Sequence, residues 1–313
     1  ARTHFERALT AAPADDETRW LLGRTWEALG ELTLAEAEWS RTRNHPPARL
    51  ALGRLALARA LLACEPCSGA CEPGPRVLAL AAAAAAELEP FAEHGPLEKA
   101  SLAAARRDWP RAIEFAALGT AGNEAPDHDL LCLTGQVEAI RGDLDAARAA
   151  LDRAVDARRH GALALHARGV VRSRQGDDPG AIADLGRSID LWPAFAWGHA
   201  RRAESLARTG DLDAAREDAE SALRLDPREP AFHLILARIL IAAGEVDAAT
   251  KSCDRALELA PDDPTALHER GACHLAAGRR DLAAADLQAA LDALPPDDPR
   301  RAPILERLDE ARR

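Results

Sequence analysis

Apolar residues along the chain recur at spacings of three and four, in runs that stop at Gly or Pro. A period near 3.6 predicts amphipathic helices rather than strands. The stops are themselves periodic. Gly142, Gly176, Gly210, Gly244 and Gly278 lie 34 residues apart, as do Ala147, Ala181, Ala215, Ala249 and Ala283. Pro193, Pro227, Pro261 and Pro295 keep the same interval, and so does a column of small residues, Ala154, Ser188, Ala222, Ala256 and Ala290.

Each column has a physical reading. Gly after an apolar run predicts a helix end in the left-handed conformation, which costs Gly nothing. Asp143, Asp177, Asp211 and Glu245 follow it, where an acidic side chain caps the next helix and faces its positive end; Arg279 departs from this pattern. The small columns let a second helix approach its neighbours closely. Pro ends that helix because it cannot extend the hydrogen-bond ladder. The predicted unit is therefore helix A, tight turn, helix B, short loop. Eight units follow from the register: 14–47, 48–90, 91–125, 126–159, 160–193, 194–227, 228–261 and 262–295. Residues 1–13 read as a preceding half unit of a longer protein, 14–125 as irregular units, and 126–295 as five regular ones. Residues 296–313 read as a capping helix, opened at Asp298-Pro299 or Ala302-Pro303, with Ile304, Leu305 and Leu308 inward.

These units resemble the tetratricopeptide repeat, a 34-residue helix–turn–helix with small residues in these columns. The stretch RRAESLARTGDLDAAREDAESALRLDP, residues 201–227, matches it almost end to end, and WLLGRTWEALGE, residues 20–31, carries Leu22, Gly23 and Gly30 in register. Helix A's small residue is Gly135, Gly169 and Gly271 in three units and Ala203 and Ala237 in two. The resemblance implies an all-α fold: a right-handed α-solenoid of antiparallel helix pairs, helix A lining the concave face and helix B the convex one. It also implies a non-catalytic scaffold for protein–protein interaction.

Composition narrows the partners. The 313 residues carry a formal net charge of −11, which disfavours nucleic acid, since phosphate binding needs a basic face. The longest apolar run, around residues 79–86, is mostly Ala and too short to span a bilayer. Nearly all basic residues are Arg, and with the Ala excess this suggests a GC-rich bacterial genome. No Gly-rich phosphate loop, H-E-x-x-H or nucleophile elbow is present, so no enzyme activity or cofactor is expected.

The groove face of helix A is the expected partner site. In the sixth unit Trp197, Ala200, Arg201, Glu204 and Arg208 share that face, and the same register selects Trp20 and Arg24, His166 and Arg174, Arg238, and His268. Arg174, Arg201, Arg208 and Arg238 form a basic stripe beside Trp197. It is expected either to hold an acidic or carboxylate-ended peptide through forked hydrogen bonds, or to pair with acids of neighbouring repeats such as Glu204. Some family members clamp a carboxylate with Lys and Asn. The corresponding positions here hold Trp20 and Arg24, Cys132 and Gln136, or His166 and Val170, so that ligand is not expected.

Cys64, Cys67 and Cys71 sit in an insertion, residues 64–75, between the two helices of the second unit, where Pro47 to Pro90 spans 43 residues instead of 34. Three readings compete: a plain loop, a disulfide, and a zinc site with three thiolates. A fourth ligand is the difficulty, because His45 and His94 fall at the other end of helices roughly 20 Å long. Cys132, Cys253 and Cys273 read as isolated small hydrophobes, which favours a reducing, cytoplasmic setting. Two further functions stay open: a regulatory region of a larger bacterial signalling enzyme such as a serine/threonine kinase, and a metal- or redox-responsive module built on the cysteine loop.

Overall fold

The computed structural model describes residues 15–28, 32–42, 45–63, 75–91, 96–120, 127–157 and 161–313. Among them are 17 α-helices, a single 3-10 turn at Glu89–Phe91 and no strand. The chain divides into two compact units, Ala1–Ala194 and Phe195–Arg313. The half unit expected at 1–13 lies outside the described residues.

The first unit contains α1 (Asp16–Ala28), α2 (Leu32–Ser40), α3 (Pro46–Ala63), α4 (Pro75–Leu88), α5 (Pro96–Ala105), α6 (Trp109–Thr120), α7 (His128–Arg141), α8 (Leu144–Ala157), α9 (Ala162–Arg174) and α10 (Asp178–Leu191). The second contains α11 (Ala196–Thr209), α12 (Leu212–Leu225), α13 (Pro230–Ala242), α14 (Val246–Leu259), α15 (Pro264–Ala276), α16 (Arg280–Asp292) and α17 (Arg301–Arg312). Consecutive helices pack as pairs, α1 on α2 through α15 on α16. The first helix of a pair also touches the first helix of the next, as α7 does α9 and α11 does α13.

The punctuation behaves as its chemistry requires. The five Gly that follow first helices have φ between 71° and 92°. Asp143, Asp177 and Asp211 accept backbone N–H bonds from Ala146, Gly180 and Ala214 at 3.0, 3.0 and 3.3 Å. Glu245 and Arg279 occupy the equivalent position without a side-chain cap. Helices α10, α12, α14 and α16 each end before the expected Pro.

Packing within pairs follows a rule of complementary size. A Cβ added at Gly169 would lie 2.7 Å from Leu185 Cγ, and one at Gly271 would lie 2.8 Å from Leu287 Cγ. Gly23 faces the indole of Trp39 in the same manner. Where helix A carries Ala203 or Ala237 instead, helix B carries Ala219 or Cys253, and all four are buried. At Gly23, Gly135, Gly169 and Gly271 the bare residue faces a wide one, Trp39, Leu151, Leu185 and Leu287.

A second rule is electrostatic and was not anticipated from the repeat columns. Arg168 makes a forked pair with Asp184, both bonds 2.7 Å, and also reaches Asp152 at 3.0 Å. Arg202 pairs with Asp218 at 2.6 and 2.8 Å, and Arg270 with Asp286 at 2.8 and 2.7 Å. These pairs recur at 34-residue steps in both members. Where the Arg gives way to Leu236, the Asp gives way to Ser252.

At the C-terminus α17 covers Leu287, Leu291 and Leu294 with Ile304, Leu308 and Ala311. Leu305, expected inward, is 47% exposed, because one helix turn offers the core only one stripe.

Candidate functional site

A cavity of about 350 Å³ opens in the first unit. Its walls come from α1, α3, α5, α7 and α9, the first helices of successive pairs, with Trp39 of α2 at one end. Helix α1 places Trp20 and Arg24 one turn apart, and the Arg24 guanidinium stands 5.5 Å above the Trp20 ring. Trp20 lies 5.7 Å from Trp39 and 5.9 Å from His45, centroid to centroid, so the end wall is aromatic. Trp39 reaches that place because Gly23 has no side chain to obstruct its indole. Helix α3 adds Leu50, Ala51 and Leu55, α7 adds Cys132 and Leu133, and α9 adds Leu163.

Polar groups punctuate this apolar surface. Arg54 of α3 approaches Asp129 of α7 at 3.8 Å. His128 Nδ1 donates to the Ala154 carbonyl at 2.9 Å, which fixes its ring. Burial, aided by the charge of Asp129, pushes the Cys132 thiol up to about 12, so it stays protonated at neutral pH. Gln136 is 6% exposed, lines the cavity, and its Nε2 has no hydrogen-bond partner among the described residues. A buried amide nitrogen without a partner carries a desolvation cost of about 1–3 kcal/mol that a ligand acceptor would relieve.

The expected groove residues are dispersed. Trp20 and Arg24 line the cavity. His166 does not face an open groove: it is 0% exposed, packed among the helices of the first unit. Arg174 is spent within the fold, its Nη1 donating to the Ala139 carbonyl of α7 at 2.5 Å. In the second unit Arg201 lies 4.9 Å over the Trp197 ring, and Trp197 meets Phe232 edge-on at 4.9 Å. Arg201 pairs with Glu204 at 2.9 Å, Glu204 with Arg238 at 3.3 Å, and Arg238 with Glu269 at 3.1 Å. Arg208 donates to Ser205 Oγ at 3.1 Å. The arginine stripe is therefore a ladder of alternating charge. Burial, with the charges of Arg307 and Arg238, lowers the pKa of His268 against the opposing pull of Glu269.

Cys64, Cys67 and Cys71 lie outside the described residues. Among the described residues no group of three or more His, Cys, Asp or Glu is placed to hold a metal, and no helix is long and apolar enough to cross a membrane. Cys253 and Cys273 are not isolated, as the sequence suggested; their sulfurs lie 3.9 Å apart.

Sequence reasoning had named Cys132 and Gln136 as groove positions but assigned them no role. The signal was available: Trp20 and Arg24 flank Gly23 at the same offsets as Cys132 and Gln136 flank Gly135. Arg54, His128 and Asp129 were missed, in or beside the irregular stretch where the register is disturbed.

A family model described as tetratricopeptide repeat matches residues 1–48, 133–194, 201–264 and 254–299. No curated protein matches the sequence. Among solved structures, TTC0263, a thermophilic TPR protein of Thermus thermophilus, is 23% identical with a TM-score of 0.52, over 59% of this chain and 98% of its own. The APC/C hetero-tetramer Cut9–Hcn1 is 15% identical with a TM-score of 0.64, over 90% of this chain and 59% of that one. Both likenesses are likenesses of fold.

Proposed function

The chain belongs to the tetratricopeptide repeat family, and from that premise we propose that it is a non-catalytic interaction scaffold whose first unit seats a partner peptide in the cavity between α1, α3, α5, α7 and α9. The observation that carries this reading is the cavity itself: about 350 Å³, aromatic at one end, with a buried unpartnered Gln136 amide in its lining. Apolar surface with a few convergent polar groups is what a binding pocket requires. The occupant is an apolar or aromatic side chain, with a neighbouring carbonyl accepting from Gln136 Nε2. An acidic or carboxylate-ended partner is the weaker fit, because Glu204 and Glu269 already engage Arg201 and Arg238. A ligand carboxylate would have to displace them. The role calls for no cofactor, and the buried free thiols of Cys132, Cys253 and Cys273 fit a reducing, cytoplasmic setting.

The test is selection of peptides from a random display library on the whole chain, followed by titration of the winners. Ala51→Phe fills the cavity and is expected to weaken them roughly tenfold or more, and Gln136→Leu roughly tenfold. Arg238→Glu, in the other unit, is expected to leave affinity within about twofold. Winners that bind Ala51→Phe as well as the parent, with its helical content intact, would place the partner site elsewhere.

A further inference from the structure

Cys253 on α14 and Cys273 on α15 are each 0% exposed, and their Sγ atoms are 3.9 Å apart. The repeat does not call for cysteine at either place. Positions equivalent to Cys253 hold Leu151, Leu185, Ala219 and Leu287, and positions equivalent to Cys273 hold Val137, Val171, Ser205 and Ile239. Two departures from the pattern thus face each other across the junction of adjacent repeats, one on the second helix of a pair and one on the first helix of the next.

We propose that Cys253 and Cys273 form an oxidisable dithiol, a modification site whose reagent is a small hydroperoxide and whose product is a disulfide joining α14 to α15. Full burial sets the reagent class: a bulky disulfide such as oxidised glutathione has no surface path to either sulfur, whereas hydrogen peroxide is close to water in size. The roles of the two sulfurs differ. Cys273 is held below its ordinary pKa because the Cys253 thiol hydrogen-bonds to its thiolate, against the opposing effect of burial; the same bond, with burial, raises Cys253. The shared bond allows either sulfur to donate, and with Cys273 as the thiolate Cys253 is the resolving thiol.

The Cys273 thiolate attacks one peroxide oxygen, the O–O bond breaks and hydroxide leaves, giving a sulfenic acid on Cys273. The Cys253 sulfur then attacks Cys273 Sγ, the S–O bond breaks, and the hydroxyl leaves as water with the Cys253 proton. Two thiols and one hydrogen peroxide become one disulfide and two waters; both sulfurs are oxidised and both peroxide oxygens reduced. The bridge closes the loop between two neighbouring repeats and so restricts the unfolded chain.

The full chain is treated with hydrogen peroxide under native conditions, alkylated, digested with trypsin without reductant, and mapped by mass spectrometry. Cleavage after Lys251, Arg255, Arg270 and Arg279 is expected to release Ser252–Arg255 joined to Gly271–Arg279, a species that reductant splits. The map separates this bridge from any formed by the other cysteines. Cys253→Ala and Cys273→Val, residues that neighbouring repeats already use, are each expected to abolish the joined species while keeping the helical signal. The bridged protein is expected to melt roughly 5 °C higher than the reduced one. Absence of the joined species in the native chain, when the same peroxide forms it in urea, would overturn the proposal. So would a bridged protein that melts below the reduced one.

Discussion

At the scale of single residues, this chain is held by size matching. Gly169 is bare because Leu185 needs its space, and Ala203 tolerates a methyl because Ala219 has withdrawn. The usual preference of a helix interior for Ala over Gly, about 1 kcal/mol, is overridden by contact. Gly169→Ala is therefore expected to destabilise the chain by about 1–3 kcal/mol in urea unfolding. Adding Leu185→Ala, which recreates the pair of the sixth repeat, is expected to recover part of that loss. Independent, additive costs would show that the two side chains do not share this space. The helix-ending glycines and the small columns were legible because each rests on local sterics. The Cys253–Cys273 contact was not, since it joins residues whose facing depends on how two helices are set against each other.

Elements are tied together by the Arg–Asp clamps. Asp184 is 3% exposed and Arg168 9%, and Asp184 also meets Arg172 at 2.9 Å, so removing Asp184 leaves Arg168 with Asp152 alone and takes a partner from Arg172 as well. Asp184→Ala is expected to cost about 3 kcal/mol or more, and Arg168→Leu with Asp184→Ser, the pair found at Leu236 and Ser252, less, the remaining cost falling on Arg172, whose counterpart in that repeat is Leu240. The clamps also set an acid limit. Burial alone would raise the pKa of Asp218, but hydrogen bonds from Arg202 and His199 outweigh it and hold the carboxyl below its ordinary 3.8. A lowered folded-state pKa means the stabilisation is complete above that ordinary value and is lost as pH falls through the lower one. Arg202→Leu is expected to reduce the stability measured by urea unfolding near neutral pH, and the gap to the parent is expected to narrow as acid takes the pH below 3.8 and through the lowered value. A gap independent of pH would remove Asp218 from this account. The clamp is legible as two 34-residue columns, and a half-buried stripe of charge runs beside it on the first helices of the pairs. There Arg201, Glu204, Arg238 and Glu269 form a chain of ion pairs. Period placed those arginines on one face and pointed to Glu204 as a partner; it did not point to Glu269, which meets Arg238 from a helix 31 residues away.

For the whole molecule, the division at Ala194 and Phe195 carries its own prediction. Within the second unit one apolar core runs from Ala196 to Ile239 and another from Leu234 to Ala311, and Leu236 packs against both. With α17 packed on α16, residues 195–313 are expected to fold alone, with helical circular dichroism and cooperative urea unfolding. A non-cooperative or unfolded fragment would show that this unit depends on the rest of the chain. The sequence by itself determined the all-helical class, the 34-residue unit, the turn chemistry and the inward stripe of α17 at Ile304 and Leu308, since these follow from propensity, period and steric demands that act within a few residues. Only the tertiary structure decided which inward positions are open. His166 became buried, Arg174 was absorbed by a carbonyl, and the stripe around Arg238 was neutralised. Trp20, Ala51, Cys132 and Gln136 were gathered around one cavity. The reason is physical: burial and charge pairing depend on distances between helices, and those are fixed by the sum of many side-chain volumes rather than by any local run of residues.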